Sequence, residues 1–199
     1  MAGAAPRKTR IVRLDDDFAA LENSRGTLKA HLESDGSLVP ANPAGNCSAL
    51  EHVYGFEPAK GNSPYSSFLT EGGGGLPKSY GKTELELDLP KLQADIAAGR
   101  LPAVEVLPPG DLRAMIIGEI ESTAKAAGVK LDVRVALANG PEGIEAYVSG
   151  LQGLSRGNAG RLSRRLLALF NTSRDGEYLV KGVVPPAYLR GPVPKLGGA

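Results

Sequence analysis

The sequence predicts an α+β domain, and three observations carry that reading. Stretches of strict two-residue alternation, above all residues 83–89 with Leu85, Leu87 and Leu89 on one side, read as strands. Stretches with an apolar residue every three or four positions, such as Leu112, Met115, Ile116, Ile120 and Ala124, read as helices. The two kinds are interspersed without a regular strand–helix–strand rhythm and without internal repeats, which favours α+β over a doubly wound parallel sheet.

Residues 1–9 are expected to form a flexible lead-in, residues 10–190 a single domain, and residues 191–199 a Pro- and Gly-rich tail. Residues 11–14 read as a short strand. Residues 16–33, with Phe18, Leu21, Leu28 and Leu32, read as an amphipathic helix interrupted near Gly26. After a loop at 40–46, Leu50, His52, Tyr54 and Phe56 fall on alternate positions, as on a strand. Residues 63–70 form a second strand, followed by a Gly-rich loop at 71–75. The alternating segment 83–89 gives way at Pro90 to a short helix ending near Gly99, because proline suits the first helical turn. Residues 104–107 are a strand, and Asp111 caps a helix that Gly128 terminates. Leu131, Val133, Val135 and Leu137 alternate as another strand, and Ile144, Val148 and Leu151 mark a short helix. A break at 156–160 precedes a basic helix at 161–170 and a turn at 171–176. Residues 177–184 make the last strand, stopped by Pro185 and Pro186.

Composition narrows the function classes. A net charge of +1 argues against a protein built to coat nucleic acid. Cys47 is the single cysteine, so no intramolecular disulfide and no cysteine metal cage can form, and it reads as a small half-buried side chain in a loop. No stretch approaches the ~18 apolar residues of a membrane span. The first residues lack the apolar run of a signal peptide, so export would require a carrier. The Gly72–Gly75 run lacks the strand–loop–helix context of a phosphate loop, and no His-x-x-x-His spacing suggests a metal site.

Three short segments stand out together. They are Glu51-His52-Val53-Tyr54-Gly55, Ser63-Pro64-Tyr65-Ser66-Ser67-Phe68, and the stretch from Asp175, Gly176 and Glu177 to Pro186. Their order and element types resemble the ADP-ribosyltransferase family, which places an Arg or His on an early strand, an aromatic-x-Ser segment on a middle strand and a Glu on a late strand. The surrounding text is similar to toxin domains at the ends of bacterial polymorphic (Rhs-type) toxins. The resemblance spans roughly residues 50–190.

That resemblance implies a split β-sheet core with flanking helices, NAD as substrate, no metal, and transfer of ADP-ribose to RNA or protein in a target bacterial cell. It also implies secretion within a larger carrier toxin chain and a cognate immunity protein in the producer. Breaking the nicotinamide–ribose bond develops positive charge on the ribose, which a carboxylate stabilises chiefly in the transition state. Glu177 takes that role by resemblance. Ser67 would orient the carboxylate and the nicotinamide pocket, and His52 would hold the adenosine-side ribose or a phosphate. Tyr54, Tyr65 or Tyr80 would stack on nicotinamide. Ser66 belongs to the same cofactor-binding segment, although alternation points it to the face opposite Ser67. Asp175 stands where a second acid marks protein-modifying members.

Other readings remain. A metal-independent ribonuclease would use His52 or His31 with Glu177 as acid–base pair. A non-catalytic interaction module would make both residues structural, and a plain NAD glycohydrolase would lack an acceptor. Arg156, Arg161, Arg164 and Arg165 read either as the solvated face of a helix whose Leu162, Leu166 and Leu169 point inward, or as a phosphate site.

Overall fold

A computed structural model describes residues 9–55, 57–71 and 80–195. Phe56, most of the lead-in (1–8), the Gly-rich loop from residue 72 and the end of the tail (196–199) lie outside the described residues. Strands β1 (Ile11–Asp15), β4 (Tyr65–Thr70), β5 (Thr83–Leu87), β6 (Glu105–Leu107), β7 (Tyr178–Lys181) and β8 (Leu189–Pro194) form one sheet in the order β6-β7-β4-β1-β5-β8. Every pairing is antiparallel. A two-stranded ribbon, β2 (His31–Leu32) with β3 (Leu38–Val39), is tied on through a Leu38–Val184 bridge. The mixed, antiparallel architecture is the α+β class expected from the sequence.

Two apolar clusters form the interior. Leu38, Phe68, Leu85, Leu92, Val180 and Val184 belong to one, which the ribbon and α3 (Leu89–Ala97) help to cover. The other joins α4 (Pro109–Ala126), α6 (Gly140–Ser149) and α7 (Arg156–Asp175) through Leu112, Ile116, Ile120, Ile144, Leu162 and Leu166. On β7, neighbours Leu179 and Val180 enter different clusters because strand side chains alternate. Each fully buried side chain of this size contributes about 1.5–3 kcal/mol. No helix among the described residues is long and apolar enough to cross a membrane.

Several elements differ from the sequence reading, each for a local reason. The strand expected over 50–56 is instead helix α1 (Ala49–Tyr54). Ser48 accepts from the Glu51 N–H at 3.2 Å, and the Glu51 carboxylate accepts from the Ser48 N–H at 2.9 Å. This reciprocal capping box overrides the apparent alternation of Leu50, His52 and Tyr54. A short helix α2 (Glu57–Gly61) follows. Likewise α5 (Val133–Leu137) replaces a predicted strand, because the Asp132 carboxylate caps the N–H groups of Arg134 and Val135. The helix expected over 16–33 does not form. Asp15, Asp17 and Asn23 side chains accept from backbone N–H groups two residues on, supporting turns that compete with helix. The break at 156–160 and all but the last residue of the turn at 171–176 are parts of the continuous α7, which Ser155 caps and Gly176 closes. Residues 191–194, assigned to a tail, pair with β5 as part of β8.

Ser48→Ala is expected to destabilise the protein by about 1 kcal/mol, the usual cost of losing a side-chain cap. A denaturant titration in which Ser48→Ala and the parent coincide would show that packing alone holds α1.

Candidate active site

β1 and β4 pair only at Ile11–Thr70 and Val12–Leu69. Beyond those pairs β1 stays with β5 through Asp15, and β4 stays with β7 back to Tyr65, so the sheet opens between Arg13 and Ser67. Arg13 bridges the opening, its Nη1 donating to the Ser67 carbonyl at 3.1 Å. The opening is the floor of a cleft of about 270 Å³ lined by Arg13, His52, Lys60, Ser67, Tyr80 and Glu177, among others. A second hollow of about 190 Å³ adjoins it, bordered by Lys29 and Tyr65 and sharing Arg13, His52, Lys60 and Ser67 with the first.

Glu177 is placed by the end of α7. Gly176 closes the helix in the left-handed region at φ 54, and its carbonyl accepts from Thr70 Oγ1 at 2.7 Å. A Cβ at Gly176 would lie 2.7 Å from that same oxygen, so only glycine lets the helix end approach β4 this closely. Glu177, the next residue, is thereby set beside Ser67 in the cleft. Burial pushes the Glu177 carboxyl up to about 7, helped by Asp175; the neighbouring Ser67 hydroxyl, Lys60 and Arg13 pull the other way.

His52 reaches the cleft from α1. Its Nε2 lies 2.9 Å from Ser67 Oγ and its Nδ1 2.6 Å from Ser63 Oγ. Burial, with the charges of Arg13 and Lys60, lowers its pKa to about 3, so the imidazole is neutral at ordinary pH. Arg13 itself is pulled below its ordinary value by burial, against the pull of Asp15 and Glu177. Its Nε is buried and has no hydrogen-bond partner among the described residues, while Nη2 lies 4.0 Å from Asp15. Asp15 is more closely held by Lys29, at 2.5 Å.

Glu177, Ser67, His52 and Tyr80 of the sequence-predicted residues therefore line one cleft, and Tyr65 borders the adjoining hollow. Two others do not. Tyr54 points away to Glu119 at 2.7 Å, beneath the Arg165 guanidinium, because α1 is helix rather than strand. Ser66 is fully buried on the opposite face of β4, its hydroxyl without a hydrogen-bond partner. His52 lines the cleft with both ring nitrogens within hydrogen-bond distance of serine hydroxyls. Asp175 is buried at the end of α7, held by Arg174 at 2.6 and 2.9 Å and by the Tyr80 hydroxyl at 3.0 Å. His31 bonds Glu33 and the Lys29 carbonyl, outside the cleft. None of Arg156, Arg161, Arg164 and Arg165 lines it, and Arg165 instead pairs with Glu119 at 3.0 Å. Cys47 is buried, its thiol pushed up by burial.

Arg13, Lys60 and Ser63 were missed. The one available signal was the charge of Arg13 amid the apolar residues of a short strand, a position where a cation needs a reason. No protein-family model, no curated protein and no solved structure matches the chain.

Proposed function

We propose that the protein is an NAD-dependent ADP-ribosyltransferase toxin domain whose chemistry occurs where β1 and β4 part. The observation that carries the reading is the convergence of Arg13, Ser67 and Glu177 from first, middle and late strand regions on one cleft. The family resemblance expects that set, with Arg13 rather than His52 supplying the early-strand position. The sheet opening agrees with the split core the resemblance implies.

The cleft and its neighbour share a waist where two cations, Arg13 and Lys60, face inward. That arrangement suits a dinucleotide, with the diphosphate at the waist and one nucleoside on each side. Tyr80 lines the Glu177 side and is positioned to cover nicotinamide. In the reaction the C1′–nitrogen bond breaks, nicotinamide leaves with the electron pair, and the ionised Glu177 stabilises the cationic ribose while binding its hydroxyl. A nucleophile of the acceptor, RNA or protein, then bonds to C1′ and releases a proton.

Only the ionised carboxylate can do this, and burial holds Glu177 near 7. The rate should therefore rise with pH through about 7 and level off above it. A flat profile between pH 5.5 and 8.5 would remove Glu177 from the reaction.

The ribonuclease reading keeps His52 and Glu177 in one cleft, but His52 is a weak base with both nitrogens occupied. Adenylate-labelled NAD with bacterial lysate separates the cases. Label joined to RNA or protein supports the transferase, label only in free ADP-ribose supports a glycohydrolase, and RNA broken without NAD supports the ribonuclease.

A further inference from the structure

The geometry points to a positioning column, Ser63–His52, that fixes the Ser67 hydroxyl on the Glu177 carboxylate. The column adds to the proposed NAD reaction and rests on it for its effect on rate. In the column the hydrogen-bond order runs from Ser63 to Ser67. The Tyr65 N–H donates to Ser63 Oγ at 3.1 Å, and the Ser63 hydroxyl donates to His52 Nδ1 at 2.6 Å. The Cys47 thiol, also beside Ser63, donates to the Ser48 carbonyl at 3.4 Å. With Nδ1 accepting, the neutral imidazole carries its proton on Nε2 and donates it to Ser67 Oγ at 2.9 Å. The one proton of Ser67 is then left for the Glu177 carboxylate, which lines the same cleft.

The opposite tautomer would reverse every bond. Nε2 would accept from Ser67, and the carboxylate would lose its donor. That arrangement primes a serine nucleophile, and a neutral His52 beside Arg13 and Lys60 is poorly placed to complete it by taking up a proton. His52 and Ser63 are thus positioning residues that act through Ser67, not groups that touch the substrate.

The groups facing Glu177 are Ser67 on β4, Arg13 on β1, Lys60 on α2, Asp175 at the end of α7, and Tyr80. All are kept in the single variants of His52 and Ser63 that test the column. His52→Leu should lower kcat for nicotinamide release about 10- to 100-fold with little change in KM, the signature of a misplaced transition-state group. The acid limb of its pH profile should move upward, because the Ser67 hydroxyl is no longer held toward Glu177. His52→Gln, which can still donate to Ser67, should recover part of the loss, and Ser63→Ala should show the same direction as His52→Leu. In a Ser67→Ala background, His52→Leu should add nothing.

Nitrogen-15 NMR of the unaltered protein reads the tautomer directly, and carbon-13 NMR follows Glu177 titration with or without NAD. An Nε2–H tautomer, with Glu177 titrating at higher pH in Ser63→Ala or His52→Leu, supports the column. An Nδ1–H tautomer, or a Glu177 titration indifferent to both substitutions, overturns it. If the column passes these tests while the protein fails to cleave NAD, the positioning stands and the NAD reading falls.

Discussion

Glu177→Gln is expected to lower nicotinamide release about 10²- to 10³-fold while leaving the protein folded. That factor is typical of removing one preorganised electrostatic group from a reaction centre. Gln keeps the shape of the side chain and can still accept from Ser67, but it carries no charge to oppose the positive ribose. Stability should not suffer. The folded protein holds the Glu177 carboxyl near 7 against an ordinary 4.5, so its ionisation works against the fold as pH rises through that interval. A neutral Gln avoids this cost, and thermal unfolding at pH 8 should occur no earlier than in the parent. Loss of activity with an early melt would indicate a structural role instead.

Arg13→Gln is expected to raise KM for NAD about 10- to 100-fold, the loss of one or two charge-assisted hydrogen bonds to a phosphate. Asp15 keeps its Lys29 partner at 2.5 Å, so no buried carboxylate is stranded. Arg13→Lys should recover little, because an ammonium gathers its donors on one nitrogen and lacks the planar guanidinium fork that can hold the Ser67 carbonyl on one nitrogen and a phosphate on another. If steady-state kinetics of either variant match the parent, the dinucleotide does not cross the waist of the cleft.

The sheet was legible where apolar residues alternate with polar ones along a strand. Leu85 and Leu87 are buried as their alternation required. The apolar stripe Leu112, Ile116, Ile120 and Ala124 is buried too, with Met115 left 42% exposed at its edge. Alternation failed at His52 and at Val135, where short helices of five or six residues carry too few turns for a 3.6-residue period to show. The caps, Ser48 with Glu51 and Asp132, were the better signal there. In the site, Glu177 and Ser67 were legible through short motifs. Arg13 was not, because its importance comes from β1 and β4 parting after two residue pairs, which no local pattern records. Ser63 was equally hidden, since the residue it supports lies on a helix that was taken for a strand.

The most direct test of NAD chemistry in the β1–β4 cleft is nicotinamide release from NAD by the purified protein, beside Glu177→Gln, across pH 5.5 to 8.5. Release that rises through about pH 7 in the parent and is nearly lost in the variant is the predicted result. A folded parent that neither binds NAD nor releases nicotinamide, with or without lysate, would contradict it.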